Sequence, residues 1–277
     1  RRWQKTCIFS MMATFLRYTG SNGGQGIMSA GSGAIIDLQG IYTAYEGADR
    51  PVIKDASLQV GRGEFVIVGG PNGAGKTTLL ESINGMLPLT HGKAMVCGMD
   101  VSRQGNEVRK KVGYVIQNFS FDPLMPFSVE QVVLMGRYGL LGWLKRPSEA
   151  DYAAVESALH CLGIEDLGSR PIGKLSGGQQ QKVLIAQNIA RNPEILLLDE
   201  PFSNLDLCSR DFISTVLVDI VKSGCTVMMV SHAFDGLPDF TLRIVAMNDG
   251  CLCLDEMCSA YEVEEHVRQV CRVAVHA

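Results

Sequence analysis

The stretch Gly70-Pro71-Asn72-Gly73-Ala74-Gly75-Lys76-Thr77-Thr78 carries the residue types that bind phosphate. It fits the spacing G-x-x-x-x-G-K-[ST] of the P-loop. Glycines let a backbone wrap closely around an anion, with its N–H groups turned toward the oxygens. Lys76 is placed to reach the β- and γ-phosphates of a nucleotide, and the Thr77 hydroxyl to ligate Mg²⁺. Such a loop needs a strand before it and a helix after it. Phe65-Val66-Ile67-Val68 reads as the buried strand and Thr77–Leu87 as the helix, whose N-terminal dipole end adds to the attraction.

The surrounding elements follow from pattern. Ile35–Tyr45 and Val52–Val60 read as strands flanking the turn-like Glu46-Gly47-Ala48-Asp49-Arg50-Pro51. Ala94–Cys97 and Val112–Ile116 are further strands, the second ending at Gln117. The character then becomes helical. Ser128–Arg137 places Val129, Val132, Val133 and Gly136 at helical spacing, and Ser148-Glu149-Ala150-Asp151 resembles a capping box opening a helix to about Leu162. Leu175-Ser176-Gly177-Gly178-Gln179 opens another helix, which runs to about Ala190 before Pro193. Ile195-Leu196-Leu197-Leu198 is a buried parallel-type strand ending in Asp199-Glu200. A helix near Ser209–Val221, a strand Thr226–Val230 leading to Ser231-His232, strands Leu242–Met247 and Cys251–Leu254, and a last helix through Val263, Val267, Val270 and Ala274 complete the chain.

Bulk properties narrow the choices. With 277 residues, 46% hydrophobic and 19% charged, the chain suits one sizeable domain with a subdomain. A net charge of −4 supplies no strong basic field, so nucleic acid is not an expected partner. No apolar run reaches the roughly 18 residues that span a bilayer, so any membrane contact needs a separate subunit. The nine cysteines form no C-x-x-C pair, and Cys251 and Cys253 are badly spaced for zinc, which favours reduced thiols in a cytosolic protein. Residues 1–34 carry Arg1, Arg2, Lys5 and Arg17 without an acid, and 21–33 are rich in glycine and serine. They read as a flexible extension outside the functional protein, whose true start would lie near Met28.

The P-loop, Leu-Ser-Gly-Gly-Gln at 175–179, Ile-Leu-Leu-Leu-Asp-Glu-Pro at 195–201 and His232 together resemble the nucleotide-binding subunit of ABC transporters. The resemblance runs from about Ile35 to Leu254. It implies an α/β P-loop NTPase fold over 35–277: a RecA-like core, an antiparallel β subdomain and an inserted helical subdomain at about 118–190. It also implies an ATPase that uses ATP and Mg²⁺.

The roles it implies fall on particular residues. Gly70 to Thr78 would hold the phosphates, with Lys76 also catalytic. Asp199, at the end of an apolar strand, would hold Mg²⁺ with Thr77, and Gln117 would touch Mg²⁺ or the attacking water. Glu200 is the expected general base, and His232 would hydrogen-bond the γ-phosphate. Tyr45 is the expected adenine-stacking aromatic, with Tyr42 as the alternative. Ser176, Gly177, Gly178 and Gln179 would face the γ-phosphate on a second copy of the chain in a head-to-tail dimer. Asp206, in Ser203-Asn204-Leu205-Asp206, would lie at that dimer interface. Gln187 stands where the family usually has arginine, which removes no phosphate ligand.

The segment Ser120-Phe121-Asp122-Pro123, with Pro126-Phe127-Ser128-Val129, Met135-Gly136-Arg137-Tyr138-Gly139 and Arg146-Pro147-Ser148, looks most like the manganese/zinc importer branch. This implies integral membrane permease subunits contacted near Gln117 and 118–142, and a substrate-binding protein acting through the permease. It also implies a peripheral position on the cytoplasmic face of the inner membrane. Importers of ferric siderophores and cobalamin share part of the pattern, and an ATPase of iron–sulfur assembly is the non-transport alternative. Chromosome-type ATPases are disfavoured, because 117–175 is too short for a coiled coil and lacks heptads.

Overall fold

The computed structural model describes residues 33–47, 50–117, 121–141, 145–203, 205–231 and 240–268. Two compact units divide the chain: Ser120–Asn192 belongs to one, Ala34–Phe119 and Pro193–Ala277 to the other. The expected extension falls almost wholly before residue 33, outside the described residues.

The larger unit contains two sheets. Strands β1 (Ile36–Thr43), β2 (Ile53–Val60), β4 (Leu89–Val96) and β5 (Met99–Asp100) form an antiparallel sheet in the order β2-β1-β4-β5. Strands β3 (Phe65–Gly69), β6 (Val112–Val115), β7 (Ile195–Asp199), β8 (Thr226–Val230), β9 (Leu242–Asn248) and β10 (Cys251–Cys258) form the other, ordered β10-β9-β3-β8-β7-β6. All its pairs are parallel except β9–β10. Every residue of β3, β7 and β8 is buried, which is why these strands read as continuous apolar runs rather than alternating ones.

Helix α1 (Lys76–Ile83) shares one core with both sheets: its Leu79, Leu80 and Ile83 cluster with Ile36, Leu38 and Val96 on one side and Val66, Leu197 and Val245 on the other. It ends four residues before the sequence expectation of Leu87. Gly85, at φ 66°, caps it in the left-handed conformation, its N–H donating to Ser82 O and that of Met86 to Glu81 O. Helix α2 (Val101–Lys111) was not anticipated; only Val101 and Val108 are buried, so no apolar stripe announces it. Its start is marked by Asp100, whose carboxylate accepts from the N–H groups of Ser102 and Arg103.

The smaller unit is helical: α3 (Val129–Leu141), α4 (Glu149–Cys161) and α5 (Gly177–Ile189). Ser148 opens α4 with its N–H and hydroxyl both donating to Asp151 Oδ2, at 2.8 and 2.6 Å. Arg137 of α3 reaches the same buried carboxylate at Oδ1 and also donates to Ala190 O, tying α3 to the start of α4 and the end of α5. Helices α3 and α5 approach closely at Gly136, where a β-carbon would lie 2.2 Å from the carbonyl oxygen of Gln187. The Gln187 amide donates to Val132 O at 2.9 Å, joining α5 to α3 through a neutral group. Helix α6 (Leu207–Lys222) returns to the larger unit.

Among the described residues no helix is long and apolar enough to cross a membrane, and no group of three or more His, Cys, Asp or Glu could hold a metal ion. No disulfide joins any of the described cysteines.

Candidate functional site

Strand β3 delivers the chain into the glycine loop and α1 carries it away. Between them opens a cavity of about 740 Å³. The loop contributes Asn72, Gly73 and Gly75, the first turn of α1 contributes Lys76, Thr77 and Thr78, and Tyr45, Val52, Gln117 and Glu200 complete the walls. All lie in the larger unit.

Lys76 is buried, and its ammonium donates to the carbonyls of Gly70 and Pro71 at 3.0 and 2.8 Å. A buried cation needs such partners. The loop therefore keeps the charge beside the cavity with acceptors that phosphate oxygens can replace.

Asp199 closes β7 and is 1% exposed. Its Oδ2 accepts from the Thr77 hydroxyl at 2.8 Å, while Oδ1 is buried without a hydrogen-bond partner among the described residues. Burial is the largest influence on this carboxyl and raises its pKa; the Thr77 hydrogen bond pulls the other way without cancelling it. An orphaned carboxylate oxygen beside a hydroxyl, with the Gln117 residue on the same wall, is an all-oxygen donor set that fits Mg²⁺.

Glu200 follows immediately. Its N–H donates to Val230 O on the neighbouring strand, and its φ of 49° breaks the extended path of β7 where the residue meets the cavity. Gln117 lies just beyond β6, so two adjacent parallel strands each end in a polar residue on the cavity wall.

The two tyrosines differ in surroundings. Tyr45 lines the cavity; its hydroxyl donates to Glu81 Oε2 at 2.8 Å and meets Thr78 Oγ1 at 3.1 Å, both on α1. Tyr42 packs edge-on against His91 of β4, ring centroids 5.8 Å apart, inside the antiparallel sheet.

Among the described residues, Ser176, Gly177, Gln179 and Asp206 are not in the lining of this cavity. Ser176 caps α5 in the smaller unit: its hydroxyl accepts from Gln179 N–H at 3.3 Å, and the Gln179 side chain accepts from Ser176 N–H at 3.1 Å. A β-carbon on Gly177 would meet nothing within 4 Å, so that face of the helix start is open; Gly178 follows in the first turn. Asp206 caps α6 by accepting from Ser209 N–H at 2.8 Å. His232, Asn204 and residues 118–120 lie outside the described residues.

The sequence reading missed Val52 and Glu81. Val52 lines the cavity at the start of β2, and as a single apolar residue it carries no signal of its own. Glu81 lies three residues after Thr78 on α1, a helical spacing that could have marked it as a neighbour of whatever Thr78 touches.

Residues 53–203 match the protein-family model described as "ABC transporter". The manganese transport system ATP-binding protein MntB of Bacillus subtilis is 40% identical over 205 residues, covering 74% of this chain and 80% of that protein. The zinc transport system ATP-binding protein TroB of Treponema pallidum is 34% identical, covering 84% of this chain and 85% of that protein. Among solved structures, the dimeric post-hydrolysis state of the ATP-binding cassette MJ0796 bound to ADP and Pi superposes with a TM-score of 0.68 at 28% identity, covering 80% of this chain and 97% of that one.

Proposed function

We propose that this chain, which belongs to the ABC transporter family, is the ATP-hydrolysing subunit that energises import of manganese or zinc ions. One observation carries the ATPase half of this reading: Lys76, Thr77 and Glu200 line a single cavity, and the Thr77 hydroxyl there is bonded to Asp199 at the end of a parallel strand. The similarity to a manganese and a zinc transport ATP-binding protein over most of the chain supports the cargo.

The mechanism follows from the residues. The loop N–H groups and the N-terminus of α1 hold the phosphates, and Lys76 exchanges its carbonyl partners for phosphate oxygens. Thr77 and Asp199 would hold Mg²⁺, with Gln117 on the wall of the same cavity. When bound, this ion neutralises charge on the phosphate oxygens. Glu200 accepts a proton as water attacks the γ-phosphorus; the new P–O bond forms while the bond to the β,γ-bridging oxygen breaks, leaving ADP and inorganic phosphate. His232 donates to the γ-phosphate and Tyr45 stacks on adenine.

Ser176, Gly177, Gly178 and Gln179 complete the site on a second copy, with Asp206 at the interface between copies. Dimer closure on ATP and opening after hydrolysis move the permease subunits, contacted near residues 118–142. The chain sits on the cytoplasmic face of the membrane, and a substrate-binding protein delivers the ion to the permease.

The test is cellular manganese, zinc and iron under metal limitation, measured in a strain lacking this gene and after return of the native chain or Glu200→Gln. Manganese or zinc should fall and be restored only by the native chain. Loss of iron alone would replace this cargo with ferric siderophore, and unchanged metals would overturn metal import.

A further inference from the structure

The turn joining β9 to β10 touches the P-loop from behind. Asp249 and Gly250 both have left-handed backbones, φ 46° and 82°, between the closing pair Asn248 and Cys251. Gly250 N–H donates to the carbonyl of Ala74 at 3.1 Å. The turn is itself held from β2: Lys54 N–H donates to Gly250 O at 2.9 Å, and the Lys54 ammonium pairs with Asp249 Oδ2 at 2.7 Å. There is no slack in this contact. A β-carbon on Gly250 would lie 2.2 Å from Val52 O, and one on Gly70 would lie 2.1 Å from Met247 O at the end of β9. Gly75, at φ 97°, is closed in by Ile53 Cδ1 and Val52 O, 3.0 and 3.3 Å from the position of its missing β-carbon.

We infer that the Asp249–Gly250 turn, clamped by Lys54, is a positioning device for nucleotide binding: it sets the orientation of the Ala74–Gly75 peptide in the phosphate loop. A trans peptide is planar, with its C=O and N–H pointing in opposite directions. Holding the Ala74 carbonyl against Gly250 therefore turns the Gly75 N–H the other way, and Gly75 lines the cavity. Without the turn this peptide is free to flip, and a donor meant for phosphate is lost. Gly250 and Asp249 do not line the cavity; they act through Ala74. The inference rests on the ATP-site reading above.

The test uses the full chain with MgADP and MgATP. Gly250→Ala introduces a β-carbon at a positive φ and against Val52 O. It should weaken MgADP binding tenfold or more, and raise KM for ATP by a similar factor with kcat within twofold. Asp249→Ala and Lys54→Met, which keep the glycine, should each weaken binding two- to fivefold, and the double variant should be no worse than the worse single one. Lys54→Arg should restore it.

These variants also separate a structural role from a positioning one. A folded Gly250→Ala that binds MgADP like the native chain would overturn the inference, as would a lowered Tm with unchanged KM in Asp249→Ala and Lys54→Met. If Gly250→Ala fails to fold, those two variants decide alone. A native chain that binds no MgATP would overturn the ATP-site reading itself, and the inference with it.

Discussion

The Thr77 hydroxyl donates to one oxygen of Asp199 at 2.8 Å, and the other oxygen of that buried carboxylate has no hydrogen-bond partner among the described residues. Without a cation, the pair holds a charge in a place that disfavours it.

Asp199→Asn should therefore stabilise the nucleotide-free chain while abolishing turnover. Because the folded carboxyl has a raised pKa, the unfolded one ionises first as pH rises. Stability is lost from about pH 3.9 upward through the folded pKa, and stays lost above it. Removing the charge should raise Tm at neutral pH by about 2–4 °C, equivalent to about 1 kcal/mol. Calorimetry with and without MgADP checks this: nucleotide should stabilise the native chain much more than the variant.

Tyr45→Ala should weaken ATP binding by about 1–3 kcal/mol, the usual worth of a base–aromatic stack. Tyr45→Phe should lose less, since only the hydroxyl bonds to Thr78 and Glu81 disappear. Tyr42→Ala should leave affinity unchanged and cost stability, through loss of the edge-on contact with His91. Titration calorimetry on the three variants decides which tyrosine faces the base.

In the helical unit, Arg137→Met should destabilise by about 3–5 kcal/mol, because it strands a buried carboxylate. Burial opposes charge on Asp151, but the Ser148 hydroxyl and N–H, with Arg137, outweigh it and hold the pKa below the usual range. This stabilisation is present above the unfolded pKa and is lost as pH falls through the lower folded value. Asp151→Asn should flatten the acid side of a Tm-against-pH curve.

Gly136→Ala should cost about 1–3 kcal/mol by overpacking, since the new methyl meets the backbone carbonyl of Gln187 at 2.2 Å rather than a yielding side chain. Urea unfolding monitored by circular dichroism measures it.

Much of this architecture was legible in the chain because buried parallel strands have no polar face. Val66–Val68, Leu196–Leu198 and Val227–Val230 could only be interior. The capping pairs Ser148/Asp151 and Ser176/Gln179 likewise marked helix starts by local chemistry. Helix α2 escaped because it buries two side chains, and the end of α1 escaped because Gly85 was passed over as a stop. Val52 enters the site through a tertiary contact, which spacing does not encode, whereas Glu81 is signalled only by its helical spacing from Thr78. Tyr45, preferred from its distance to the P-loop, lines the cavity, while Tyr42 packs against His91 in the sheet, a difference of surroundings that three residues of separation do not express.

Glu200 stands at φ 49°, a conformation that costs a non-glycine residue about 1–3 kcal/mol. Glycine at this position would relieve the strain, as asparagine at Asp199 would relieve the buried charge. A library screened only for heat resistance of the empty protein would thus enrich loss of both acids and return robust, inactive chains. Screening with nucleotide present reverses that pressure at Asp199 and leaves Glu200 exposed to it, so the two positions should drift apart in a predictable order.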